Sequence, residues 1–146
     1  MKRFTFAALI ALLLAAFTAT SAQAASAHFV KGPSGSVSGN TLTVTFKAAG
    51  LGNAEETADF SLTGTVTVDA QCFTRSGNPV QGVPKSDTVT VNSTETFDVR
   101  NGSVNGVFTI SPLSPLTCTG NQQVRTTVTS ANLTVSGEGI SAPVTF

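Results

Sequence analysis

Between Phe60 and Cys72 the chain alternates so strictly that few folds can accommodate it. Phe60, Leu62, Gly64, Val66, Val68, Ala70 and Cys72 hold the even positions, and Ser61, Thr63, Thr65, Thr67, Asp69 and Gln71 the odd ones. A strand sends successive side chains to opposite faces, so this pattern describes a strand with one buried face. A helix would scatter the same residues around its circumference. Thr41 to Lys47 repeats the alternation, with Leu42, Val44 and Phe46 inward. Val89 and Val91 mark another strand, and Phe97 and Val99 continue its parity. Later, Val124, Thr126 and Val128 are even while Ala131, Leu133 and Val135 are odd. One extra residue near Ser130, as in a β-bulge, accounts for that switch. Phe29-Val30 and Pro143 to Phe146 read as edge strands at the two ends.

Turn residues separate these pieces: Ser34-Gly35, Gly39-Asn40, Gly50 to Asn53, Gly77-Asn78-Pro79, Gly120-Asn121 and Gly137 to Gly139. Asn101-Gly102 is the preferred pair for a two-residue hairpin, whose central residues both need positive φ. A hairpin there sets Val99 opposite Val104, Phe97 opposite Gly106 and Glu95 opposite Phe108, so its apolar positions share a face. Thr, Ser and Val dominate, Trp and Tyr are absent, and Leu and Ala are sparse beyond the first two dozen residues. That is a composition of strands and turns. The expected fold is all-β: an antiparallel two-sheet sandwich of seven or eight strands, immunoglobulin-like in architecture. No internal repeat or linker divides it.

The first residues bear on compartment. Lys2 and Arg3 precede an apolar run from Ala7 to Phe17, and Ala22-Gln23-Ala24 closes a short polar stretch. These are the three parts of a secretory signal peptide in their order. The apolar run is too short for a bilayer, which takes about 20 residues. Residues 1–24 are therefore expected to be removed, leaving a single domain, Ala25 to Phe146, secreted to the extracellular space, the periplasm or the cell surface. No Cys follows the apolar run to take a lipid, and no second long apolar stretch exists to span a membrane. In an exported chain the two cysteines, Cys72 and Cys118, are expected to form a disulfide. Two thiols and one histidine fall short of a closed zinc site.

Charge and residue inventory narrow the function. Without Lys2 and Arg3, six basic residues face eight acidic ones, which argues against a nucleic-acid partner and against an anionic membrane surface. His28 is the sole histidine, near the mature N-terminus, where it is a poor member of a catalytic triad. Asn53, Glu55, Glu56 and Asp59 sit beside a Gly-rich turn, yet their spacing is not that of an EF-hand, and a solvated acidic loop is the better reading. Asn-x-Ser/Thr sequons at Asn92, Asn101 and Asn132 are unremarkable in so Thr-rich a chain. A terminal Phe146 suits outer-membrane barrels, but those need aromatic girdles of Trp and Tyr and a polar inner parity, which this chain lacks.

Two likenesses rest on particular residues. Ala49-Gly50-Leu51-Gly52-Asn53, Cys72, Gly77-Asn78-Pro79-Val80-Gln81-Gly82 and Cys118-Thr119-Gly120-Asn121-Gln122 together resemble a set of small secreted bacterial proteins without assigned activity. The likeness implies a bacterial, exported protein and supplies no functional residue. Phe60 to Val66, running on to Cys72, is similar to the first strand of fimbrial subunits assembled by strand exchange. Only 74 residues follow Cys72, too few for that fold, and Thr145 stands where a penultimate aromatic belongs.

The resulting expectation is a non-catalytic binding or structural module with no cofactor and no metal. It would engage a protein or glycan partner, with Gly77, Asn78, Pro79, Val80, Gln81 and Gly82 as an interaction loop. A secreted inhibitor or effector, or a fimbria-like subunit assembled by strand addition, is the alternative. An enzyme is disfavoured, because catalysis needs positioned groups with tuned pKa values and this inventory offers few.

Overall fold

The computed structural model describes residues 26–52, 56–82 and 84–146. The expected signal peptide, residues 1–24, and Ala25 lie outside the described residues, as do Asn53 and Glu55 of the acidic loop. Among the described residues there are seven strands and no helix: β1 (His28–Ser38), β2 (Thr41–Ala49), β3 (Thr57–Phe73), β4 (Lys85–Asp98), β5 (Ser103–Ile110), β6 (Gln123–Gly137) and β7 (Ile140–Pro143). They form two antiparallel sheets, ordered β1-β2-β5 and β4-β3-β6-β7. The architecture is the expected two-sheet sandwich. An immunoglobulin constant domain places its fourth strand beside the fifth, whereas here β4 lies on the sheet of β3.

The alternations settle which faces meet. Leu42, Val44, Phe46 and Ala48 of β2 are buried, as are Ala58, Phe60, Leu62, Val66, Val68 and Ala70 of β3. Val91, Val104, Phe108, Val128, Leu133 and Val135 close the core from the other strands. At one end Phe46 is the hub of an aromatic group, with ring centroids 4.8 Å from Phe60, 5.6 Å from Phe97, 5.9 Å from Phe29 and 6.0 Å from Phe108. Most of these contacts are tilted or edge-on, the geometry ring quadrupoles favour.

The parity switch in β6 is a bulge. Thr67 pairs with Ser130 and Val68 with Val128, which leaves Thr129 without a partner in the ladder. The Thr129 hydroxyl donates to the Thr67 carbonyl at 3.2 Å. Gly64 answers a second irregularity in the pattern. Its φ is +140°, and a Cβ there would run into the Asn132 carbonyl oxygen of β6. Side-chain-bearing residues rarely adopt that conformation, so glycine lets the two central strands close.

Three expectations are corrected. The Asn101-Gly102 turn forms, with φ of 52° and 67° and reciprocal backbone bonds between Arg100 and Ser103. The hairpin beyond it does not. β4 pairs along its whole length with β3 and β5 with β2, so Phe97 is not opposite Gly106, nor Glu95 opposite Phe108. Apolar sets that would share one face of a hairpin meet equally well across a sandwich, and the parity test cannot separate the two. The ring over Gly106 belongs to Phe46, its neighbour on β2. Ser34-Gly35 is not a turn but part of β1, paired with Thr45 and Val44. The Phe146 ring lies over the position where a Cβ of residue 35 would stand. Finally, Pro143 to Phe146 is not a continuous edge strand. β7 ends at Pro143, and the chain then crosses to the other sheet, where the Thr145 amide donates to the Pro33 carbonyl and its carbonyl accepts from the Gly35 amide.

Candidate functional site

β3 delivers Cys72 to one end of the sandwich, and there it is bonded to Cys118, with Cα atoms 5.8 Å apart. The bridge joins the end of β3 to the segment between β5 and β6, and so gathers two connections at one pole. The first runs from Thr74 to Pro84, the second from Ser111 to Gln122.

The first connection folds back on the strand it leaves. The Val80 amide donates to the Cys72 carbonyl at 2.8 Å, the Thr74 amide to the Asn78 carbonyl at 2.8 Å, and the Gly77 amide to the Thr74 carbonyl at 2.9 Å. The Asn78 amide also donates to the Thr74 hydroxyl at 3.1 Å. Gly77, at φ +83°, makes the reversal. Gln71, on the outward parity of β3, reaches across with Nε2 to the carbonyls of Val80 and Gly82, at 3.4 and 3.3 Å. Backbone groups that would otherwise face water are thereby tied to the sheet. Asn78, Pro79, Gln81 and Gly82 remain exposed, whereas Gly77 and Val80 are half-buried.

The second connection is pinned to β4. Ser114 donates its hydroxyl to the Asp87 carboxylate and accepts from the Leu116 amide at 3.1 Å. Between the two connections lies a cleft of about 350 Å³, lined among others by Gln71, Val80, Gln81, Lys85, Leu116 and Gln122. Arg125 stacks over the Phe73 ring, 4.5 Å from its centroid. Val80, Gln81 and Gly82 of the expected interaction loop are thus part of a concave surface. The residues from the other side were missed. They follow once Cys118 is joined to Cys72, because its neighbours Leu116, Thr117 and Thr119 must then stand near the end of β3.

The remaining sequence-level candidates do not converge. His28 lies exposed at the start of β1, its Nδ1 2.9 Å from the Ser26 carbonyl. Asp59 accepts from the Thr96 hydroxyl at 2.6 Å on the outer face. Among the described residues no three of His, Cys, Asp and Glu come together as a metal site. A second depression, about 490 Å³, lies where β4 and β5 part, beside an exposed Arg100–Asp98 ion pair at 3.9 Å. Among the described residues no helix is long and apolar enough to cross a membrane.

The fold and this pole define a disulfide-closed, two-sheet β-sandwich. No known protein family, curated protein or solved structure matches the chain.

Proposed function

We propose that this chain is an exported, non-catalytic binding module that engages a protein or glycan through the disulfide pole. The observation that carries the reading is the way the Thr74–Gly82 segment is held. Four backbone–backbone or backbone–hydroxyl bonds and the Gln71 clamp fix it, yet Asn78, Pro79 and Gln81 present their side chains to solvent. A surface ordered before binding loses little conformational entropy on association. Rims of amide, hydroxyl and ammonium groups around a small apolar floor suit hydrogen-bonding ligands. The basic start, short apolar run and Ala22-Gln23-Ala24 support export with Ala25 as the new N-terminus, and the disulfide accords with an oxidising compartment.

The test is capture of partners from the secreted and envelope fractions of the native host on immobilised protein. Material retained by wild type and lost with Asn78→Ala/Gln81→Ala, but kept by His28→Ala, is the expected result. Hydrolysis of protein, ester, glycan or phosphoester by the purified protein, abolished by His28→Ala, would sink the reading. Export is checked by intact mass beginning at Ala25.

A further inference from the structure

The near-neutral charge of the chain conceals an uneven distribution between the two ends of the sandwich. β3 runs from the end that holds the Asn101-Gly102 corner to the disulfide pole, and the strand registers assign the charged residues to one end or the other. Among the described residues, Arg75, Lys85 and Arg125 stand at the disulfide pole against Asp69 and Asp87. The corner end has the opposite balance. There Glu56, Asp59, Glu95, Asp98 and Glu138 outnumber Lys31, Lys47 and Arg100.

The three cations of the pole surround the Thr74–Gly82 segment. Arg75 belongs to it and is exposed. Arg125 brings a guanidinium nitrogen to 3.7 Å from the place a Cβ would take at Gly77. Lys85 follows the segment and lines the cleft beside Gln81. None of the three is in an ion pair, since the one such pair among the described residues is Arg100–Asp98 at the other end. Of the two acids, Asp87 already accepts from the Ser114 hydroxyl, and Asp69 lies between Ser86 and Thr127 in the sheet. Among the described residues no Asp or Glu lines the cleft.

The rest of this surface is neutral and hydrogen-bonding. Gln81, Thr117, Thr119 and Gln122 of the cleft, with the exposed Asn78, each offer a donor and an acceptor. Sugar hydroxyls have the same double character. Three cations against two acids leave an excess too small for a polyphosphate, whose binding rests on many cationic contacts. The balance fits a ligand that carries scattered carboxylates among hydroxyls. The guanidinium fork of Arg75 or Arg125 matches a carboxylate in two parallel bonds, and the Lys85 ammonium serves as a point charge.

We propose that the disulfide pole binds an acidic polysaccharide, its uronate carboxylates on Arg75, Arg125 and Lys85 and its hydroxyls on the amides and hydroxyls around the cleft. This rests on the reading of the pole as a binding surface and gives that surface its ligand class.

Isothermal titration with oligomers of galacturonate tests this, with oligomers of galactose as the uncharged match and poly-glutamate as the acidic peptide. Galacturonate oligomers should bind, and the other two should bind at least about tenfold more weakly. Salt near 1 M, where charges are screened within about 3 Å, should weaken the galacturonate complex. Arg75→Gln/Lys85→Gln should weaken it by about tenfold or more with an unchanged melting temperature, because both side chains are exposed. Arg125→Lys keeps the charge without the fork and should weaken it less. Arg100→Gln, at the far end, should bind like wild type. Equal affinity for charged and uncharged oligomers, tighter binding of poly-glutamate, or indifference to Arg75→Gln/Lys85→Gln overturns the proposal. So does an absence of binding up to millimolar galacturonate. If host material is then still captured through Asn78 and Gln81, the binding-module reading stands and only the acidic-glycan class falls.

Discussion

Single residues decide how closely the layers of this molecule approach. Gly64 sits on the inward parity of β3, where every neighbour of that parity is apolar, and its importance is steric: the Asn132 carbonyl of β6 occupies the space of a Cβ. Gly64→Ala combines a strained φ with overpacking and should cost about 2–5 kcal/mol in denaturant unfolding. Gly32→Ala is the control. Nothing lies within 4 Å of a Cβ built there, so its effect should stay within about 0.5 kcal/mol. An equal loss in both variants would refute the steric account. Gly106 shows the same logic on the other sheet, where the Phe46 ring needs the empty place. That a glycine interrupts an apolar parity is visible in the sequence. Which atom fills the gap is not, because the filling group comes from a strand distant in the chain.

At the scale of elements, the Asn101-Gly102 turn obeyed local chemistry and pairing obeyed competition. Asn101-Gly102 takes positive φ at both positions, as its residues demand, yet its flanking strands separate into different sheets. β3 matches β4 over fourteen residue pairs and β2 matches β5 over eight, and a β4–β5 hairpin would forfeit both ladders. The turn is therefore the corner where the chain changes layers. Gly102 is buried at φ +67°. Gly102→Val should cost about 1–3 kcal/mol, read as a fall in melting temperature of several degrees, whereas Asn101→Gly should be nearly neutral. A Gly102→Val protein that melts like wild type would show that the corner is not under this constraint. The bulge at Thr129 was legible because one extra residue reverses every later face in a period of two.

For the whole molecule, the disulfide joins local order to the proposed function. It closes a span of 46 residues between the end of β3 and the connection to β6. On the chain-entropy model such a loop is worth roughly 4 kcal/mol. Cys72→Ser/Cys118→Ser should lose stability of that order while keeping the β-sheet circular dichroism. Exchange should rise first in residues 74–82 and 111–122, since the sheet ladders and the Phe46 group lie elsewhere. Uniformly faster exchange across both sheets would mean that the bridge supports the core and not the pole.

The alternations, the turn residues and the two cysteines were enough to determine an all-β sandwich, the inward faces of β2, β3 and β4, the bulge in β6 and the disulfide. These depend on properties within a few residues, or on there being only one pairing available to two cysteines. The sheet to which β4 and β5 belong, the crossing of Thr145 to β1, and the joining of residues 80–82 with 116–122 into one cleft were decided only by tertiary structure. An inward parity says that a side chain is buried and not what buries it. A partner on the same sheet and a partner on the facing sheet remove the same apolar surface from water. Only the whole set of competing ladders chooses between them.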